Sequence, residues 1–182
     1  MGVNLMIAVY CDGSSRGNPG NGGYGFVLFD TNDPSRIIYA RSAQYPDVTN
    51  NRMELLGLLH ALDYIEDYYP EEDVVIYSDS AYTVNACNDW MHTWSKNGWI
   101  NSKKQTVENV DLMKALWDYF RRDFFHCELR KCAGHDGVLH NELADLLARK
   151  SIDKFYETTD YEGIVVEDIE ILDFITRITD WT

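Results

Sequence analysis

The chain contains few of the residues that define several large classes of protein. Of its 182 residues only four are cysteines and four are prolines. No two cysteines form a CxxC pair, and four are too few to suggest a disulfide framework in a chain of this length. We therefore expect Cys11, Cys87, Cys127 and Cys132 to be reduced thiols.

Long apolar runs are also missing. The longest runs extend over only a few residues, so the sequence offers no candidate transmembrane helix. The N-terminal segment has no basic region and reaches Asp12 within a few residues, which is unlike a secretory signal. We therefore expect a cytoplasmic protein with no membrane partner.

Basic residues are scarce. The chain has 16 lysines and arginines against 30 acidic residues, a net charge of −14. This balance argues against a protein that coats nucleic acid by bulk charge, because phosphate binding depends on cations. Residues 151–182 hold nine acids and two bases, which is half of the excess negative charge, so the tail is predicted to be a separate element.

What is present is typical of a globular α/β domain. Apolar residues make up 45% of the chain, enough for a sizeable core. Strand-like segments are predicted at 5–12, 23–30, 36–45, 73–78 and 123–131, and helical segments at 49–65, 80–94, 107–122 and 140–150. The glycine-rich segment 13–23 is predicted to be a turn. This order of elements indicates a mixed sheet with helices on its faces.

Four acidic residues lie at positions that suggest chemistry. Asp12 and Asp79 end two predicted strands, Glu54 lies near the start of a helix, and Asp145 lies on the last helix. If the two strands are parallel neighbours, Asp12 and Asp79 meet at one sheet edge. Converging carboxylates repel one another, and Mg²⁺ or Mn²⁺ relieves that repulsion. From spacing alone, ordinary solvated surface acids remain the more common explanation.

Several sequence blocks carry a more specific signal. They occur in one order along the chain: YCDGSSRGNPGNGGYG (10–25), TNNRMELLGLLHAL (49–62), YSDSAY (77–82), WMHTWSKNGW (90–99), VENVDL (107–112) and AGHDGVLHNELADLLA (133–148). In these blocks and their intervals, the chain resembles type 1 ribonuclease H over roughly residues 6–150. The resemblance implies a ribonuclease H-like fold, with a five-stranded mixed sheet of three antiparallel strands followed by two parallel ones.

The resemblance also implies an activity and a site. It predicts an endonuclease that hydrolyses the RNA strand of RNA–DNA hybrids and leaves 5′-phosphate and 3′-hydroxyl ends. The residues that match the family's metal-binding and catalytic carboxylates are Asp12, Glu54, Asp79 and Asp145. His135 matches a loop histidine that assists proton transfer or product release, whereas the other four histidines are assigned structural roles.

Two magnesium ions are implied, and Mn²⁺ is expected to substitute for them. One ion would lie on Asp12, Asp79 and Asp145, and the other on Asp12, Glu54 and Asp79. Such a pair can activate a water molecule and stabilise the leaving oxygen of a phosphodiester.

A second set of residues matches the family's substrate contacts. Asn18 and Asn51 match residues that contact the minor groove, and Thr49 and Asn109 match a pocket for a DNA phosphate. Tyr82, Trp90 and Trp94 match an aromatic channel under the deoxyribose, and Lys96 and Lys103 match a basic substrate-binding segment, the basic handle. Turn, cap and core-packing roles stay open for the asparagines and the aromatic residues.

The chain also departs from the family pattern. Asp47 stands where many members carry an arginine beside the phosphate pocket, and Ala81 replaces a larger residue. The segment 95–106, which matches the basic handle, holds only three lysines. We therefore expect weak, strongly salt-sensitive binding of the hybrid.

The tail lies outside the resemblance. We predict a catalytic domain over 1–152 and an acidic C-terminal extension over 153–182. Its apolar positions recur at helical spacing: Ile171, Leu172, Ile175 and Ile178. Three explanations stay open for the extension, namely a helix docked on the chain's own surface, a segment that binds a protein partner, and an acidic mimic of the substrate. A monomer is expected.

Two other functions stay open at this stage. One is a nucleic-acid-binding module with the same fold and no catalysis. The other is a metal-dependent nuclease of the same fold that acts on DNA. The four acids with His135 argue against the first, because a binding module needs no metal site. The TNNRMEL and GNPG blocks argue against the second, because they are typical of the RNA-directed family.

Overall fold

A computed structural model describes residues 6–122, 126–134, 139–153 and 158–165. These residues form one six-stranded sheet with the strand order β5-β4-β1-β2-β3-β6. The strands are β1 (Ile7–Gly17), β2 (Gly20–Asp30), β3 (Asp33–Val48), β4 (Val74–Ser78), β5 (Cys127–Lys131) and β6 (Thr158–Val165). The predicted mixed sheet is confirmed, since β1, β2 and β3 pair antiparallel, and β4 pairs parallel with both β1 and β5.

The helices lie where the apolar spacing predicts them. They are α1 (Asn50–Tyr68), α2 (Ala81–Asn85), α3 (Met91–Trp94), α4 (Val110–Phe120) and α5 (Leu139–Ser151). A π-helical turn over Ala86–Trp90 joins α2 to α3, so the predicted helix 80–94 is continuous but locally wider. Thr49 caps α1, because its side chain accepts a hydrogen bond from the backbone N–H of Arg52.

The glycine-rich segment 13–23 is not the broad turn that its composition predicts. β1 continues to Gly17 and β2 begins at Gly20, so only Asn18 and Pro19 connect the two strands. Gly17 has φ +90°, which side-chain-bearing residues rarely adopt, and a Cβ on Gly20 would lie 1.9 Å from the carbonyl oxygen of Arg16. These glycines therefore allow a tight two-stranded arm, formed by the end of β1 and the start of β2 over residues 13–23, rather than a loop.

The sixth strand comes from the C-terminal extension. β6 runs antiparallel to β3, with Arg36 opposite Val165 and Ala43 opposite Thr158. It adds a strand to the five that the sequence predicts and covers the edge of β3. The apolar positions predicted to form a helix, Ile171, Leu172, Ile175 and Ile178, lie outside the described residues.

Two apolar layers pack on opposite faces of the sheet. Ile7, Val9 and Cys11 of β1 belong to the larger cluster, which also contains buried residues of α1 and α4. Tyr10 packs against the smaller cluster, which contains Leu143 and Leu147 of α5. Successive residues of β1 therefore face opposite layers, as the geometry of a strand requires. Among the described residues, no helix is long and apolar enough to span a membrane.

Candidate active site

Three carboxylates converge at one edge of the sheet. Asp12 lies on β1 and Asp79 directly follows β4, and these two strands are parallel neighbours with Tyr10 opposite Tyr77. Glu54 reaches the same place from the second turn of α1. One oxygen of each carboxylate lies within 4.8 Å of the other two, which confirms the expected meeting of Asp12 and Asp79.

Small residues allow this close approach. A Cβ on Gly13 would lie only 2.2 Å from the backbone nitrogen of Glu54, so the start of α1 rests directly on β1. A Cβ on Gly134 would lie 2.9 Å from Oδ2 of Asp79, so the loop after β5 passes close to that carboxylate. Larger residues at these two positions would force the three acids apart.

Burial makes the negative charge in this cluster costly. Asp12 is 6% exposed and Glu54 is 4% exposed. Burial, with the nearby charge of Asp79, raises the pKa of Asp12 to about 7. Burial and the charge of Asp12 also raise the pKa of Glu54 well above its ordinary value. The backbone N–H of Gly13 donates to Oδ1 of Asp12 at 2.7 Å, which partly offsets the cost.

The donor set fits a hard divalent cation. Oε2 of Glu54 is buried and has no hydrogen-bond partner among the described residues. An orphaned buried carboxylate oxygen beside two further carboxylates is what a cation would satisfy. All-oxygen ligands suit Mg²⁺ or Mn²⁺ better than zinc.

Asp145 lies beside this cluster rather than inside it. It sits on α5 with 17% of its side chain exposed, and its Oδ2 lies 2.8 Å from Nη2 of Arg149. Its negative charge nevertheless contributes to the raised pKa of Asp12, so Asp145 lies near enough to interact with that carboxylate. The predicted catalytic histidine, His135, lies outside the described residues.

The predicted phosphate-pocket residues Thr49 and Asn109 are joined by an arginine that the sequence analysis did not single out. The backbone N–H of Arg52 donates to Oγ1 of Thr49 at 3.2 Å, and its guanidinium donates to Oδ1 of Asn109 at 3.2 Å. The guanidinium also binds both oxygens of Asp111 and holds the pKa of that carboxyl below its usual range. The sequence signal for this contact is weak: Arg52 lies in the block 49–62 and Asp111 in the block 107–112.

The two predicted minor-groove asparagines lie near each other. Oδ1 of Asn18, at the tip of the β1–β2 arm, accepts a hydrogen bond from the backbone N–H of Asn50 at 3.1 Å. Asn51 lies in the first turn of α1 and is half-buried. The arm therefore brings Asn18 to the N-terminus of the helix that carries Asn51 and Glu54.

The predicted aromatic residues form one group. The ring centroids of Tyr82 and Trp90 are 6.0 Å apart, and those of Trp90 and Trp94 are 5.7 Å apart. Trp90 is 40% exposed, so it is not a core residue. Tyr82 and Trp94 are partly buried and pack against the core, which agrees with the packing alternative for those two.

The segment 95–106 is an ordered excursion with exposed lysines. Ile100 and Thr106 form an isolated β-bridge, and Oδ1 of Asn101 accepts hydrogen bonds from two backbone N–H groups between them. The lysines expected to form the handle, Lys96, Lys103 and Lys104, are exposed. Asp47, the acidic departure, is also exposed and lies two residues before Thr49.

Comparison with known proteins agrees with this geometry. The RNase H family model matches residues 4–153. A ribonuclease H of Symbiobacterium thermophilum is 42% identical over 147 residues, covering 80% of this chain and 94% of that protein. A ribonuclease H of Treponema pallidum is 34% identical over 168 residues, covering 87% and 98%.

Solved structures show the same fold. LC9-RNase H1, described as a type 1 RNase H with the type 2 active-site motif, aligns with a TM-score of 0.76 at 24% identity, covering 94% of this chain and 85% of that one. LC11-RNase H1 in complex with an RNA/DNA hybrid aligns with a TM-score of 0.60 at 22% identity, covering 81% and 97%. The resemblance noted from the sequence blocks is therefore confirmed. The chain belongs to the ribonuclease H family and is a nuclease of that family.

Proposed function

We propose that this enzyme hydrolyses the RNA strand of RNA–DNA hybrids with two divalent cations, leaving 5′-phosphate and 3′-hydroxyl ends. The observation that carries the proposal is the meeting of Asp12, Glu54 and Asp79 within 4.8 Å at the sheet edge. The complex of LC11-RNase H1 with a hybrid supports the choice of substrate.

The carboxylates would divide the metal ligation as the family resemblance implies. Asp12 and Asp79 would contact both ions, Asp145 the first and Glu54 the second. When bound, Mg²⁺ supplies a Lewis acid that activates water and stabilises the leaving 3′-oxygen. The Asp145 side chain is partly exposed and paired with Arg149, so it can turn toward a cation without leaving a deeply buried charge unpaired.

The remaining contacts would position the hybrid. Asn18 and Asn51 carry short amides that can bond a 2′-hydroxyl and a base edge in a wide minor groove. Thr49 and Asn109, which Arg52 joins through hydrogen bonds, would bind a phosphate of the DNA strand. Trp90 offers an exposed ring for the sugar of the DNA strand. His135 would exchange protons near the product.

The domain assignment, 1–152 catalytic and 153–182 an extension, is part of this proposal. It is supported by the family match, which ends at residue 153. Asp153, two residues after the end of α5, forms an ion pair with Arg16 of β1, with 2.6 Å between Oδ1 and Nη1, so the first residue of the extension still contacts the proposed catalytic domain. A monomeric state, a protein partner for the tail and a cytoplasmic location stay predictions.

The test is cleavage of an end-labelled RNA–DNA hybrid in Mg²⁺ and in Mn²⁺, beside single-stranded RNA, duplex RNA and duplex DNA. We expect cutting only in the RNA of the hybrid. Asp79→Asn should abolish it, whereas Asp73→Asn should not, because the side chain of Asp73, just before β4, is 91% exposed. Mapping the product ends checks the predicted 5′-phosphate. Cutting of duplex DNA would favour the DNA nuclease, and binding without cutting would favour the binding module.

A further inference from the structure

The first turn of α5 is held against the sheet by a histidine that the proposed mechanism does not use. His140 is 8% exposed. Its Nε2 lies 2.7 Å from the carbonyl oxygen of Pro34, in the segment that begins β3. A carbonyl oxygen only accepts, so Nε2 carries the hydrogen and donates it.

The same ring is stacked on the sheet. The imidazole lies 3.8 Å from the ring centroid of Phe29 with an interplanar angle of 12°. Tyr10 of β1 lies on the same side, 6.0 Å away with an angle of 19°. One flat side chain therefore makes a directional hydrogen bond to the β2–β3 hairpin and an aromatic stack on β2. Neither phenylalanine nor glutamine can make both contacts.

The next residue holds the helix on its other side. Asn141 is 3% exposed, and its Oδ1 accepts a hydrogen bond from the Cys132 thiol at 3.6 Å. The backbone N–H of Cys132 in turn donates to the carbonyl oxygen of Ser78, the residue before Asp79. The start of α5 is thus fixed between the hairpin and the strand end that carries a candidate metal ligand.

Asp145 follows His140 by five residues on this helix, which is about 7.5 Å along the helix axis. A shift of the first turn therefore changes the distance from Asp145 to Asp12. We propose that His140 is a positioning residue that sets the place of Asp145, and so the completeness of the metal site. This inference rests on the proposed function for its consequence in catalysis, but its structural content can be tested separately.

Three substitutions at this position separate the two contacts. His140→Phe keeps the stack and loses the hydrogen bond, His140→Gln keeps a donor and loses the stack, and His140→Leu loses both. Ile65→Val serves as the control for general loss of stability, because Ile65 is 1% exposed on α1, far along the chain from α5.

The first measurement is amide hydrogen exchange of the full chain without metal, followed at residues 143–147. We expect faster exchange there in the Leu variant, smaller changes in the Phe and Gln variants, and none in the Ile65→Val control beyond its global loss of stability. Exchange at α5 that follows only the global stability in every variant would overturn the proposal. This readout decides the matter even if the wild type cuts no hybrid, which would instead contradict the proposed function.

The second measurement is the split between kcat and KM on the hybrid. We expect the Leu variant to need a several-fold higher Mg²⁺ concentration for half-maximal rate and to lose kcat. Its KM should stay within about twofold, since Asp145 is a metal ligand rather than a hybrid contact. The Phe and Gln variants should lie between the wild type and the Leu variant. A Leu variant with wild-type Mg²⁺ dependence, or a loss matched by Ile65→Val, would count against a positioning role.

Discussion

At the scale of single residues, the candidate site is a compromise between function and stability. Three carboxylates are packed within 4.8 Å of one another, and two of them are almost fully buried. Their mutual repulsion and desolvation oppose folding of the metal-free chain. Carboxylates that are this costly to bury are typical of functional sites. Removal of one negative charge should therefore change stability and activity in opposite directions.

Asp79→Asn should stabilise the metal-free protein while it abolishes activity. The substitution removes one negative charge from the cluster and keeps the shape of the side chain. We expect a gain of about 1 kcal/mol, or a rise in Tm of roughly 2–4 °C for a chain of this length, in EDTA. Saturating Mg²⁺ should reverse the order, because the wild type binds the cation more tightly. A lower Tm for the mutant in EDTA would contradict the idea of crowded carboxylates.

The burial of His140 has a consequence for stability against pH. Burial lowers the pKa of His140, and the Pro34 hydrogen bond only partly opposes this. The unfolded chain therefore takes up a proton near its ordinary pKa, about 6.5, before the folded chain does. The contribution of His140 to the free energy of unfolding is therefore fully present above pH 6.5 and is lost as the pH falls through the lower pKa of His140 in the folded protein.

The measurement is thermal unfolding in EDTA at pH 7.5 and pH 5.5, for the wild type and for His140→Phe. The fall in Tm on acidification should be smaller in the mutant, which has no imidazole to protonate. Contributions of the carboxylate cluster and of the other histidines are common to both proteins and cancel in the comparison. An equal fall in both proteins would show that His140 titrates in the folded state as it does in the unfolded one.

At the scale of elements, α5 depends on glycines in β2. A Cβ on Gly25 would lie 2.5 Å from Cβ of Leu147 and 2.6 Å from the carbonyl oxygen of Ala144. A Cβ on Gly23 would meet Oγ of Ser151 at 1.9 Å. The helix that carries Asp145 therefore lies directly on the strand backbone, and the sheet decides where Asp145 stands.

Gly25→Ala should displace α5 and cost stability and activity together. Overpacking of this kind costs about 1–3 kcal/mol. The comparison is Gly98→Ala, where φ is +76° but nothing lies within 4 Å of the added Cβ, so only backbone strain is introduced. Chemical denaturation should show the larger loss for Gly25→Ala. A loss no greater than that of Gly98→Ala would mean that the helix can move away without cost.

The predicted elements agree with the structure where the pattern is local. The apolar spacing of α1 and its Thr49 cap, and the strand character of β1 and β4, are readable over a few residues. The composition of segment 13–23 was misleading, because glycines that allow close backbone approach look the same in sequence as glycines that form a loop. The contact from Arg52 to Asp111 could not be derived from spacing, since 59 residues separate the partners.

At the scale of the whole molecule, the net charge affects the binding of a polyanionic substrate, and the C-terminal extension affects the stability of the sheet. The net charge of −14 repels a polyanionic substrate, and the handle segment offers only three lysines. We expect KM for the hybrid to rise steeply between low and moderate salt while kcat changes little, because salt competes with the few phosphate contacts. Steady-state kinetics at several NaCl concentrations check this. A KM that does not change with salt would count against the prediction.

Removal of residues 155–182 should lower stability and promote self-association. The deletion takes away β6, which pairs with β3 from Arg36 to Ala43. An uncovered edge strand can pair with a second chain. Light scattering and thermal unfolding of the shortened chain check this outcome. A higher kcat/KM without association would instead favour the acidic mimic, and an unchanged protein would favour a segment kept for a partner.

The sequence by itself determined the family, the order of the elements and the identity of the candidate ligands. It could do so because motifs and periodicities are properties of short stretches of chain. The tertiary structure decided how closely distant residues approach and which unforeseen contacts form. It set the 4.8 Å spacing and the burial of the Asp12, Glu54 and Asp79 carboxylates, the packing of α5 on β2, the contacts of His140 and the pairing of β6 with β3. These contacts depend on how close-packed layers fit in space, and no local pattern of residues encodes that fit.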